Sequence, residues 1–139
     1  MSKAILLVNL GSPDSPEVPD VRRYLNEFLM DGRVIDVPWI LRRLIVGIIL
    51  INRPKESGHA YSTIWTKDGS PLIVSSRHVR EHLQKRVDVP VEFAMRYQNP
   101  SIESAIKNLK AKGATEVLLI PLFPHYAMSS YEKIGRAHV

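Results

Sequence analysis

The stretch "VEFAMRYQNPSIESAIKNLKAKGATEVLLIPLF" (Val91–Phe123) reads as strand, helix, strand. Val91, Phe93, Met95 and Tyr97 alternate with smaller or polar neighbours, the two-residue period of a strand. Ile102, Ala105, Ile106 and Leu109 then recur at helical spacing. Asn99 is the predicted N-cap, Pro100 takes the first helical position, and Gly113 follows the last turn. Glu116–Phe123 is a short apolar run of the kind that forms a buried strand.

The same alternation extends toward the start of the chain. Ala4–Asn9 is a further apolar run, and Val21, Leu25, Phe28 and Leu29 recur at helical spacing after it. Another helix is predicted from about Val74 to Arg86. Between Asp31 and Asp68 an apolar segment precedes "NRPKESGHAYSTIW", which reads as one or two helices with an irregular link. Strands alternating with helices predict an α/β fold, an open parallel sheet with flanking helices. In such sheets ligands bind at the carboxyl ends of the strands. Those ends are "NLGSP", "MRYQN" and "FPHYAMSSY", which carry Arg96, Tyr97, His125 and Tyr126.

At 139 residues the chain is long enough to bury a core. Its formal charge of +5 is spread without a solid basic tract. That suits an anionic ligand or an acidic membrane surface and is only weak evidence for nucleic acid, so no nucleic-acid partner is expected. With no cysteine there is neither a disulfide nor a thiolate metal site. The longest apolar segment, "WILRRLIVGIILI", is interrupted by Arg42 and Arg43, and Leu44–Ile51 falls short of the ~20 residues of a membrane span. A cytoplasmic protein, with membrane contact at most peripheral, is the expectation.

Several motifs have a chemical reading and a plainer one. "HVREH" places His78 and His82 four apart, on one helix face where both could ligate a metal. Arg77 and Arg80 on the same turn disfavour a cation, so a solvated face is expected, with Val79 and Leu83 in the buried stripe. "NLGSPDSP" follows a strand and precedes a helix, but its single glycine fits neither a dinucleotide fingerprint nor a P-loop. Arg96 near the end of a buried strand demands a partner, whether an internal carboxylate or that of a ligand. His125 reads equally as a base and as a structural residue of its turn.

Five segments in order, "LLVNLGSP", "VRRYLNEFLMDGRVIDVP", "GSPL", "FAMRYQNPSIESAI" and "VLLIPLFPHYAMSSY", closely resemble the N-terminal half of the ferrochelatase family. The resemblance covers roughly Ala4 to Glu132 and implies one half of a two-lobed chelatase fold. It implies an enzyme of haem biosynthesis, a lyase that inserts ferrous iron into a porphyrin and uses no organic cofactor. By resemblance, Leu10 lies against the macrocycle and Leu29 and Met30 form the pocket wall. Arg53, Ser70, Arg96 and Tyr97 line or border the porphyrin site. Trp39–Ile51 resembles an apolar lip open to membrane contact, and a C-terminal half is the implied packing partner.

The resemblance also implies what this stretch lacks. The family's catalytic His lies in a Ser-Ala-His-Ser-type segment, with a partner Glu further on, and neither segment occurs here. No catalytic and no metal-ligating residue is therefore assigned, and the chain alone is expected to be inactive. Residues 1–132 are expected to be an incomplete ferrochelatase-like domain, and Lys133–Val139 resembles a translated sequencing adapter. A non-catalytic porphyrin- or metal-binding half-domain, and a chelatase for another tetrapyrrole, are the alternatives.

Overall fold

A computed structural model describes residues 2–123. The elements run β1 (Lys3–Gly11), α1 (Val18–Leu29), α2 (Trp39–Ile64), α3 (Pro71–Gln84), β2 (Val91–Tyr97), α4 (Ile102–Ala111) and β3 (Glu116–Pro121). The strands form one parallel sheet in the order β2-β1-β3. The expected α/β architecture is present, with β1 at the centre because its runs of apolar side chains are buried on both faces.

Register assigns each residue to a face. Ala4, Leu6 and Val8 of β1 share one face with Ala94 of β2, and there Ala105 and Leu109 of α4 close a core that also takes Phe123. The opposite face carries Leu7, Val91, Met95 and Tyr97, all buried. Here α3 packs, and Asn9 Nδ2 donates to Ser76 Oγ at 3.4 Å. The helix also tends the outer edge of β2: Arg80 Nε donates to the Val91 carbonyl at 2.9 Å, and Gln84 Oε1 accepts from Val91 N–H at 2.8 Å. Backbone groups that would be orphaned at a sheet edge are satisfied in this way.

Three local expectations need correction, and one open alternative is decided. Asn99 is not the cap of α4. The Asn99–Pro100 bond is cis, the Pro100 carbonyl accepts from Met95 N–H at 2.7 Å, and Ser101 caps the helix by accepting from Ser104 N–H at 3.1 Å. Val79 is exposed, and the residue α3 buries is Ser76. That helix also begins earlier than predicted, at Pro71 behind the Ser70 cap. Finally, residues 39–64 form one helix of 26 residues that runs through Pro54. A proline forfeits one helical hydrogen bond, but Pro54 is buried, and Gly58 packs so closely that a Cβ would stand 2.8 Å from the Pro16 carbonyl oxygen. Tertiary packing on both sides of the proline keeps the helix whole.

Candidate functional site

Three chain segments meet at the carboxyl end of the sheet: the end of β1, the end of β2 and the turn after α1. Gly11 makes the meeting possible. It has φ +139°, and a Cβ there would overlap the Tyr97 carbonyl oxygen, so only glycine lets the two strand ends come this close.

Asp31, one residue beyond Met30, holds the cluster together. Its carboxylate accepts from Arg96 Nη2, and from the Tyr97 hydroxyl at 3.2 Å. It also accepts from Arg33 N–H at 2.9 Å and lies 3.6 Å from Arg33 Nη1. Burial alone would raise the Asp31 pKa, but the Arg33 amide, the Arg96 charge, the Tyr97 hydroxyl and the Arg33 charge outweigh it, and the pKa is lowered. Arg96 thus has an internal carboxylate as partner, one of the two options its sequence position raised. Its guanidinium carbon also stands 4.3 Å from the Tyr97 ring centroid, a cation–π distance.

Around this pair the turn after β2 is tethered by acids of the α1 region. Gln98 adopts φ 62°, uncommon for a residue with a Cβ, and both its amide N–H and its side-chain amide donate to Glu27. Asn99 Nδ2 donates to Asp14 at 3.2 Å. Aromatic rings continue the contact: Phe28 meets Tyr97 edge-on at 5.1 Å and stacks with Tyr24 at 6.2 Å. Burial raises the pKa of both Tyr24 and Tyr61. Tyr61 in turn meets Trp65 edge-on at 6.3 Å.

The structure therefore brings Arg96 and Tyr97 together on Asp31, and Leu29 and Met30 immediately precede Asp31 in the chain. Leu10 is on β1, 39% exposed beside the buried Gly11. Ser70 is buried and its hydroxyl accepts from Ile73 N–H at 3.3 Å as the α3 cap. Arg53 is exposed on α2. Among the described residues no hydrogen bond links Arg53 or Ser70 to the Asp31 cluster. His125, Tyr126 and the segment Lys133–Val139 lie outside the described residues.

The Trp39–Ile51 segment divides into two faces. Arg42 turns inward and donates to the carbonyls of Val37 at 2.7 Å, Ile35 at 3.1 Å and Met30 at 3.3 Å, while Arg43 donates to Asn26 at 3.0 Å. Ile40, Leu44, Ile48 and Ile51, spaced for one helix face, stand exposed together with Trp39 and Leu41. Among the described residues no helix is long and apolar enough to cross a membrane. His78 and His82 are both exposed on α3, and no group of three or more His, Asp or Glu side chains among the described residues could hold a metal ion.

Asp31, Glu27 and Asp14 were not singled out from the sequence. A signal existed, since a buried arginine requires an anion. It did not select among 14 acidic residues.

Comparison with known proteins gives consistent matches. A family model described as Ferrochelatase matches residues 2–137. The ferrochelatase of Stutzerimonas stutzeri (strain A1501) is 57% identical over 129 residues, which is 92% of this chain and 38% of that protein. That of Azotobacter vinelandii is 58% identical over 128 residues, 91% of this chain and 38% of the relative. That of Pseudomonas syringae pv. tomato is 54% identical over the same proportions. The chain spans 38% of the length of these curated relatives.

Proposed function

The chain belongs to the ferrochelatase family, and on that footing we propose that it supplies the N-terminal porphyrin-binding lobe of an enzyme that inserts ferrous iron into protoporphyrin. The observation that carries this reading is identity of 57% to a ferrochelatase across 92% of the chain. The site geometry supports it. Leu10, Leu29 and Met30 offer apolar side chains at the carboxyl end of the sheet, next to the Arg96–Asp31–Tyr97 cluster. Burying the face of a macrocycle against such a wall supplies binding energy roughly in proportion to the apolar area covered.

In this reading the lobe binds and orients porphyrin, and the groups that receive the pyrrole protons belong to the part of the family that this chain does not span. Arg53 and Ser70 border the site, the first as an exposed cation for a propionate and the second by fixing the start of α3. The exposed face of α2 serves as the lip through which an apolar substrate passes, in peripheral contact with a membrane on its cytoplasmic side. Its inward-turned Arg42 and Arg43 anchor the lip to α1 and leave the outer face uncharged along Ile40–Ile51.

The test is a hybrid in which residues 2–123 replace the matching region of the Stutzerimonas stutzeri enzyme. Iron insertion into protoporphyrin by the hybrid, and none by the 139-residue chain alone, is the expected result. A folded hybrid that binds no porphyrin would sink the reading. Titration of the hybrid with protoporphyrin and coproporphyrin, which differ in propionate number, separates this substrate from another tetrapyrrole.

A further inference from the structure

Asp31 occupies the junction between two sides of the proposed porphyrin wall. Behind it in sequence stand Leu29 and Met30, at the end of α1. Facing it in space are Arg96 and Tyr97, at the end of β2. Its side chain is 7% exposed and that of Arg96 is 1% exposed. Among the described residues the Tyr97 ring is oriented at three points: its hydroxyl on Asp31, its face by Arg96 at 4.3 Å, and its contact with Phe28 at 5.1 Å. Two of those three points depend on the one carboxylate, since Arg96 is itself held by it. Charge-assisted hydrogen bonds in a water-poor setting are the strongest means available to fix such a geometry.

We propose that Asp31 is a positioning residue for porphyrin, locking Arg96 and Tyr97 of β2 against the end of α1 so that the wall keeps one shape. The inference rests on the reading of this chain as the porphyrin-binding lobe. A flat, rigid ligand gains its contacts only where the wall matches it, and a gap of a fraction of an ångström forfeits part of every contact across it. Asp31 is turned toward protein groups, so its removal acts through the shape of the wall. The effect belongs in the porphyrin KM and not in turnover, because the wall is the same in the ground and transition states.

The hybrid enzyme described above, with its parental sequence as reference, provides the test. Asp31→Glu keeps the charge and moves the carboxylate by one methylene, and Asp31→Asn keeps the shape and removes the charge. Asp31→Glu is expected to raise the porphyrin KM about three- to tenfold with kcat within about twofold, and Asp31→Asn to raise it further. Thermal melts of each variant accompany the kinetics. Parental KM in both folded variants would overturn the inference, as would a fall in kcat at constant KM. If Asp31→Asn fails to fold, Asp31→Glu decides alone: a raised KM supports the inference and a parental KM overturns it. Failure of both variants to fold would reduce Asp31 to a structural anchor and likewise overturn the inference. A parental hybrid without porphyrin binding would bring down the functional reading and this inference with it, whereas an active parent with insensitive variants would remove the inference only.

Discussion

Tyr97 and Arg96 at the end of β2 are 1% and 5% exposed, while Ile40 and Ile48 on α2 stand 72% and 70% exposed. Hydrophobicity alone would order these residues the other way. The difference is one of partners. The end of β2 has Asp31, Glu27 and Asp14 to receive its donors, together with the Phe28 ring, all drawn from the segment around α1. The outer face of α2 meets none of the described residues in this way, and an apolar face left open on this scale marks a contact surface. One region finds partners for its polar groups among the described residues, and the other turns its apolar side chains outward.

That contrast can be broken at the Asp31 carboxylate first. Asp31→Ala leaves the Arg96 charge buried without its carboxylate, and is expected to cost about 3–5 kcal/mol of folding stability in urea titrations. The pH dependence has a definite sign. The Asp31 pKa is lowered from its ordinary 3.8, so folding makes the group harder to protonate. Its contribution is present above about pH 3.8 and is lost as the pH falls through the lowered value. Acid titration of parent and Asp31→Asn should therefore coincide in the acid limit and separate above it. Parallel curves throughout would show that the Asp31 pKa is not perturbed by folding.

Next in size is the core on the other face of the same sheet. Leu109, on the sheet-facing side of α4, is fully buried, and Leu109→Ala should cost about 2–4 kcal/mol, again by urea titration. A smaller step tests the corrected cap. Ser101→Ala is expected to cost about 1 kcal/mol, and a larger loss from Asn99→Ala would reverse that assignment. Smallest of all, Ile48→Ser should change stability by no more than about 0.5 kcal/mol, because the side chain is already in solvent. A cost near that of Leu109→Ala would mean that the outer face of α2 is covered within this chain, and would erase the contrast.

Much of this architecture was legible before any coordinates. The three strands are local apolar runs, and α4 has a single clean stripe of Ile102, Ala105, Ile106 and Leu109, so periodicity located them within a few residues. Where the reading failed or stayed open, a distant group had decided the matter. Asn99 and Pro100 look like a helix start, yet Met95 and Asp14 hold them in the turn. The segment around Pro54 reads as one or two helices, and the burial of Pro54 with the approach of Gly58 to Pro16 makes it one. Val79 looks like core, yet α3 turns Ser76 inward to meet Asn9.

The order of strands and helices, the absence of a thiolate site and the family resemblance are properties of the sequence alone, because each depends on residue identity and near-neighbour spacing. The pairing of Arg96 with Asp31, 65 positions away, depends on where the chain folds back. A buried guanidinium states only that an anion must be near. Which of the acidic residues answers is set by Gly11, whose missing Cβ lets β1 and β2 close, and by α1, which ends beside them.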